Sequence, residues 1–233
     1  MSGGRTDLEK HPPAYLSPSR LTCYAYCPAE FFKRYILQRD EPPTPERCFG
    51  TAVHKGLEAH FRGQDDELAF LGAWREVKAE LAAANQFFGK GLPERGLELL
   101  EMVRNLGLSG EPERPITVTA PDIPIPIIGY TDLWAQGHIT DFKTSGYGWT
   151  QDKADAQLFQ PAIYSQAHSD EYGEIPRFTF VVLPRIQGPI QILDGTRTGD
   201  QIIAAFNRAR EIFNLIEAQA FGCTCGRHME QAA

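Results

Sequence analysis

The sequence predicts a mixed α/β (α+β) domain, a small mixed central sheet flanked by helices, and three observations carry that prediction. Apolar residues recur at helical spacing through the N-terminal half, the period changes to that of strands from Ile116, and the chain closes on one more amphipathic helix begun at Asp200. Helices, a strand cluster, a helix, a further strand and a closing helix suit one layered domain.

Each element has its own signal. Residues 1–15 are polar, proline-bearing and without period, which reads as a mobile tail ahead of a single domain over 16–233. Ser17 or Ser19 can cap a first helix whose apolar positions Leu21, Tyr24, Phe31, Phe32 and Tyr35 are interrupted at Cys27-Pro28, where a kink or helix-to-helix turn is expected. The stretch Glu41-Pro42-Pro43-Thr44-Pro45 stops it, and Gly50 opens the next helix, with Val53, Leu57 and Phe61 as its stripe and His54 and Glu58 one turn apart beside it.

Residues 66–110 form a helical elaboration, with breaks at Gly89-Lys90-Gly91 and Pro93. The sheet core spans 116–183, with strands expected at 116–119, 125–134, 139–144 and 178–183. Between the last two, Ala154 to Ala167 reads as one helix bent at Pro161. The closing segment, 199–233, carries Ile203, Phe206, Ile212, Phe213 and Ile216 at helical spacing, then a cysteine-containing tail beyond Gly222.

Composition narrows the function classes. A chain of 233 residues that is 42% hydrophobic can bury one sizeable core. No apolar run is long enough to span a membrane and the first thirty residues lack a secretory pattern, so a cytoplasmic protein without a membrane partner is expected. Five cysteines at irregular spacing point to thiols or metal ligands and away from a disulfide framework. The net charge of -7 has the wrong sign for coating nucleic acid, so any such contact must be local or made through cations.

The strongest local signal is Gly129-Tyr130-Thr131-Asp132, a turn at Gln136-Gly137, and Thr140-Asp141-Phe142-Lys143. A hairpin centred on that turn sets position 132 opposite 141. Directly opposed side chains have Cβ atoms about 5 Å apart, where like charges repel. A divalent cation such as Mg²⁺ or Mn²⁺ offsets that repulsion, because hard oxygen ligands suit it. Lys143, two residues beyond Asp141, shares the face. Two anions and one cation fit phosphodiester hydrolysis, in which a bound metal acidifies water and an ammonium stabilises developing charge. The bland alternative is a screened surface ion-pair cluster, worth about 0–1 kcal/mol per pair.

Around this hairpin the motifs stand in an order that resembles the RecB-like branch of the PD-(D/E)XK nucleases. Leu16-Ser17-Pro18-Ser19-Arg20-Leu21 with Tyr24, Cys27-Pro28 and Phe31 is similar to that family's first helix motif, and Phe49-Gly50-Thr51-Ala52-Val53-His54 to its histidine motif. Gly129 to Asp132, Asp141-Phe142-Lys143 and Gln160-Pro161-Ala162-Ile163-Tyr164 look like the three that follow.

The resemblance implies a restriction-endonuclease-like core with a helical insertion, a Mg²⁺ or Mn²⁺ ion held by His54, Asp132 and Asp141, and Lys143 as the catalytic lysine. It implies that Gln160 and Tyr164 contact the substrate, a single- or double-stranded DNA, at its ends in an exonuclease or end-processing enzyme. Repair, recombination, phage replication and CRISPR adaptation all use such domains, some as homo-oligomers or beside nuclease and helicase subunits. Without the hairpin, His54 reads as a hydrogen-bonded helix residue with Glu58 as its partner, and Glu58 is an alternative metal ligand.

AddB-like and CRISPR-associated relatives hold a [4Fe-4S] cluster with one cysteine near the start and three near the end. Cys27, Cys223 and Cys225 resemble that arrangement, but the third C-terminal cysteine is missing and Cys23 is the nearest spare thiol. A zinc site from Cys27, Cys223, Cys225 and His228, or plain reduced thiols, fit the same residues. Three functions thus compete: a metal-dependent deoxyribonuclease, a DNA-end-binding module with little or no turnover, and a cysteine-stabilised scaffold with an incidental acidic hairpin.

Overall fold

The structure is a computed structural model that describes residues 13–39, 42–86 and 91–222. Its centre is a five-stranded mixed sheet in sequential order: β1 (Glu111–Ala120), β2 (Ile123–Ala135), β3 (His138–Ser145), β4 (Arg177–Pro184) and β5 (Gln191–Asp194). Neighbours are antiparallel except β3 and β4, which run parallel and are joined by the helical crossover α6 (Gln151–Asp155) and α7 (Phe159–Tyr172).

Helices cover both faces. On one side α1 (Pro18–Tyr26), α7 and α8 (Gly199–Glu217) close a core through Leu21, Tyr24, Ile163 and Phe213. On the other, α3 (Pro45–Phe61), α4 (Asp66–Ala83) and α5 (Leu92–Arg104) pack Phe49, Val53, Phe70 and Leu99 against the sheet. β4 feeds both layers, Phe178, Phe180 and Val182 to the first and Val181 and Leu183 to the second. That is why it reads as a continuous apolar run. Each such side chain, fully buried, contributes about 1.5–3 kcal/mol. A sheet with helices on both faces is the architecture expected, with α4 and α5 as the helical elaboration.

Local chemistry explains the boundaries. The Ser17 side chain caps α1, and Cys27 leaves it in extended conformation, so Pro28 starts a four-residue helix, α2 (Pro28–Phe31). A five-residue π-helical turn, Phe32–Ile36, completes that region, with Leu37 donating to the Phe32 carbonyl. Where β2 runs on beyond the β3 ladder, Leu16 bridges to it: its N–H donates to Pro126 and its carbonyl accepts from Ile128. The start of α1 is thereby fixed beside β2.

Several expectations are corrected. α3 begins at Pro45 under a Thr44 cap, not at Gly50, because Pro is well suited to a first helical turn. Ala154 to Ala167 is two helices: Pro161 sits in the first turn of α7, where its missing N–H costs no hydrogen bond, and so opens a helix in place of bending one. β1 starts earlier, at Glu111, and β5 is a four-residue half-exposed edge strand, too short for a strand period to show. In α8 the buried stripe is Ile202, Ala205, Ala209, Ile212, Phe213 and Ile216, whereas Ile203 is 60% exposed. No described helix is long and apolar enough to cross a membrane.

Candidate active site

The site forms where β2 and β3 part. Their ladder pairs Ala135 with His138, Trp134 with Ile139 and Leu133 with Thr140, so the next step sets Asp132 opposite Asp141, as the hairpin predicts. In place of a further ladder bond, the Phe142 N–H donates to Asp132 Oδ2 at 2.7 Å. Asp141 is 1% exposed, at the centre of the sheet. Its Oδ1 accepts from Gln160 Nε2 at 2.5 Å, and Lys143 Nζ lies 2.6 Å from its Oδ2. Oδ2 is buried, and the Lys143 charge is what faces it. Lys143 donates to Gln160 Oε1 at 2.7 Å, so Gln160 ties the aspartate and the lysine together from α7.

His54 comes from α3. A Cβ on Gly50, one turn earlier, would lie 2.7 Å from Thr144 Oγ1, so only glycine lets this helix settle so close to β3. His54 Nδ1 then sits 3.3 Å from Asp132 Oδ1. Glu58 does not partner His54; it pairs with Lys55 and Arg62 on its own helix. His60 faces Asp66.

The third anion is one that the sequence did not single out. On either side of Glu113, Pro112 pairs with Leu133 and Arg114 with Thr131, which sets Glu113 opposite Asp132 on the other neighbour of β2. Among the described residues, His54, Glu113 and Asp132 bring their ligand atoms within 4.8 Å of one another. Glu113 has φ +51°, a left-handed conformation that is costly for a side chain other than glycine or asparagine. It escaped notice because Glu111-Pro112-Glu113-Arg114-Pro115 has no alternation, and its two prolines read as a loop. A carboxylate between prolines just ahead of a strand was the one available hint.

Electrostatics couple these groups. Burial pushes the Asp141 carboxyl up, the Asp132 charge adds to that, and Lys143 opposes it, with a net rise. Burial also works against an ionised Asp132, but the His54 charge and hydrogen bond, Lys143 and the Phe142 N–H together hold its pKa below the ordinary value. For His54, burial lowers the pKa and the Asp132 charge and hydrogen bond outweigh it, with a net rise. Burial raises the Glu113 carboxyl, with Asp132 and Glu58 adding to it. Three carboxylates and one imidazole gathered in this way are a donor set suited to a hard divalent cation.

A model of the PD-(D/E)XK nuclease superfamily matches residues 15–220. The chain belongs to that superfamily. Among solved structures, this PD-(D/E)XK protein superposes with a TM-score of 0.63 on a protein from Eubacterium rectale provisionally named an exonuclease, over 98% of this chain and 94% of that one at 13% identity. The two share a fold. A second structure, SSO0001, overlaps at a TM-score of 0.37 and 17% identity over 72% of this chain and 74% of that one, too loosely to define a common architecture. No curated protein matches by sequence.

The remaining motif residues have definite places in this PD-(D/E)XK fold. Tyr164 is 4% exposed and its hydroxyl donates to the Tyr130 carbonyl at 2.7 Å. A Cβ at Gly129 would sit 2.7 Å from the Tyr164 ring, which explains the glycine ahead of Asp132. Cys27 is buried and Cys23 partly so, and burial raises the Cys23 thiol. Cys223, Cys225 and His228 lie outside the described residues.

Proposed function

We propose that this chain is a Mg²⁺- or Mn²⁺-dependent deoxyribonuclease of the RecB-like kind, acting as an exonuclease or DNA-end-processing enzyme. The observation that carries the reading is the buried carboxylate of Asp141, whose Oδ2 is faced by the Lys143 ammonium, beside the His54, Glu113 and Asp132 cluster. Carboxylates gathered this closely and this deeply are costly unless further positive charge is brought to them. In this reading His54, Asp132 and Asp141 hold the cation, with Glu113 adding charge from the β1 side. When bound, the cation acidifies a water and polarises the phosphate. Asp132 keeps His54 oriented, Lys143 presents its ammonium to the developing charge, and Gln160 keeps that ammonium at the face of Asp141. Tyr164 braces Tyr130 and with it the strand that carries Asp132.

Cleavage of end-labelled single- and double-stranded DNA across a metal series tests this. Wild type is expected to cut with Mg²⁺ or Mn²⁺ and to stop in EDTA, while Asp141→Ala and Lys143→Ala remain folded and inactive. Cleavage by either variant at the wild-type rate would remove the site, and DNA binding without cleavage under every metal would favour an end-binding module.

A second metal centre at the cysteines has one observation in its favour. Phe221 packs on Tyr24, Phe31 and Phe32, and the Tyr24 hydroxyl donates to the Ala220 carbonyl, so the last described residues lie against the helices that carry Cys23 and Cys27. We propose that Cys27, Cys223 and Cys225, with Cys23, hold a [4Fe-4S] cluster. Visible absorbance and iron content after anaerobic purification test it, and iron-free protein of full stability would exclude it.

A further inference from the structure

A groove leads away from Lys143, Gln160 and Tyr164 between α1 and β2, enclosing about 1040 Å³. Its charged lining is Arg34 and Glu30 along the groove and Lys143 at its inner end, where the lysine is paired with Asp141. Its exposed walls are aromatic. Tyr26 on α1 is 60% exposed and Tyr130 on β2 is 59% exposed, and both line it together with Trp149. Tyr130 is two residues from Asp132, and it lines the same groove as Lys143 and Gln160. An aromatic ring therefore stands at the rim of the reacting centre.

Large exposed aromatics in a polar groove call for a ligand with a π-face. Bases within a duplex already have both faces covered by their neighbours, whereas those of a single strand are available, and stacking on aromatic side chains is the usual means of gripping them. We propose that this groove takes a single strand of DNA, stacking unpaired bases on Tyr130 and Tyr26 while Arg34 meets the backbone, so that the site is fed with single-stranded ends. The proposal rests on the nuclease reading for its orientation, but the stacking itself does not depend on cleavage. Neither tyrosine ring has a part in holding the cation, so both are specificity-determining residues.

The test is binding in EDTA, which separates it from catalysis. Fluorescence anisotropy with a labelled single-stranded oligonucleotide, a blunt duplex of the same sequence and a single strand with abasic sites gives three affinities for wild type, Tyr130→Ala, Tyr130→Phe and Tyr26→Ala. The single strand is expected to bind at least about 10-fold tighter than the duplex, each alanine variant to weaken it about 5- to 100-fold, and phenylalanine to restore it. The abasic strand is expected to bind wild type no better than the intact strand binds the alanine variants. Because the rings are exposed, the variants should melt with wild type. Duplex and single strand binding alike, or alanine variants binding as wild type, would overturn the proposal even if the enzyme cuts DNA. Selective binding without cleavage would instead uphold it and remove the nuclease reading.

Discussion

The Asp132 carboxylate accepts the backbone N–H of Phe142 at 2.7 Å, taking the place of the next rung of the β2–β3 ladder. One oxygen thus holds the hairpin together while the other, 3.3 Å from His54 Nδ1, looks into the site. Structure and chemistry share this side chain and can be separated by substitution.

Asp132→Asn keeps an oxygen for Phe142 and loses the charge, whereas Asp132→Ala loses both. Both variants should lack metal-dependent cleavage. Alanine should cost a further 1–3 kcal/mol or so of stability, because it leaves the Phe142 N–H unmatched. Urea unfolding of the pair decides this, and equal stabilities would show that the hydrogen bond contributes nothing.

Glu113 sits in a conformation that glycine adopts readily. Glu113→Gly should therefore relieve strain of about 1 kcal/mol or more. The same change removes a carboxylate from the proposed cation site, and calorimetric titration with Mn²⁺ is expected to show affinity falling about 10- to 100-fold, the range found when groups supporting a metal site are lost. A gain in melting temperature together with that loss would mark a residue kept for function at the expense of stability. An unchanged affinity would remove Glu113 from the site.

Asp141 gives the metal-free protein an inverted pH dependence. Burial lifts its folded pKa to about 6, above the unfolded value near 3.9. Its contribution to stability is full below the unfolded value and is lost as pH rises through about 6. Metal-free Asp141→Asn should accordingly gain on wild type as pH rises from about 4 to about 6 and hold that gain above it, and Mn²⁺ should stabilise wild type at pH 8 but not the variant. Parallel pH–stability curves in EDTA would contradict this.

The Asp66–Arg104 pair has the opposite sign. Two guanidinium bonds, at 2.8 and 2.7 Å, join α4 to the end of α5 and hold the Asp66 pKa below the ordinary carboxylate value, against burial. Its contribution is present above the unfolded pKa and is lost as pH falls through the depressed folded one. Arg104→Leu should cost about 1.5–3 kcal/mol at pH 7, with the deficit shrinking below pH 4. Denaturant midpoints at pH 7 and pH 3 check it.

Much of the site was legible because its signals are local. The turn at Gln136-Gly137 is enough to set Asp132 against Asp141, strand alternation brings Lys143 to the same face, and Gly50 and His54 lie one turn apart on α3. The partner of His54 was not legible, because Glu58 is its neighbour along the helix while Asp132 reaches it only when α3 docks on β3. The span of α8 follows from its periodicity, yet Ile202 and not Ile203 faces inward, since only packing against α7 decides which stripe is inside.

By itself, then, the amino-acid order determined the succession of helices and strands, the opposed aspartates and the lysine on the face of Asp141, all of which follow from short-range periodicity and one tight turn. Only the tertiary structure decided that Glu113 joins them from a third strand, that Gln160 spans Asp141 and Lys143, and that an aromatic groove opens beside α1. Those features depend on the register and docking of segments far apart in the chain, and no local pattern of residues encodes how such segments meet.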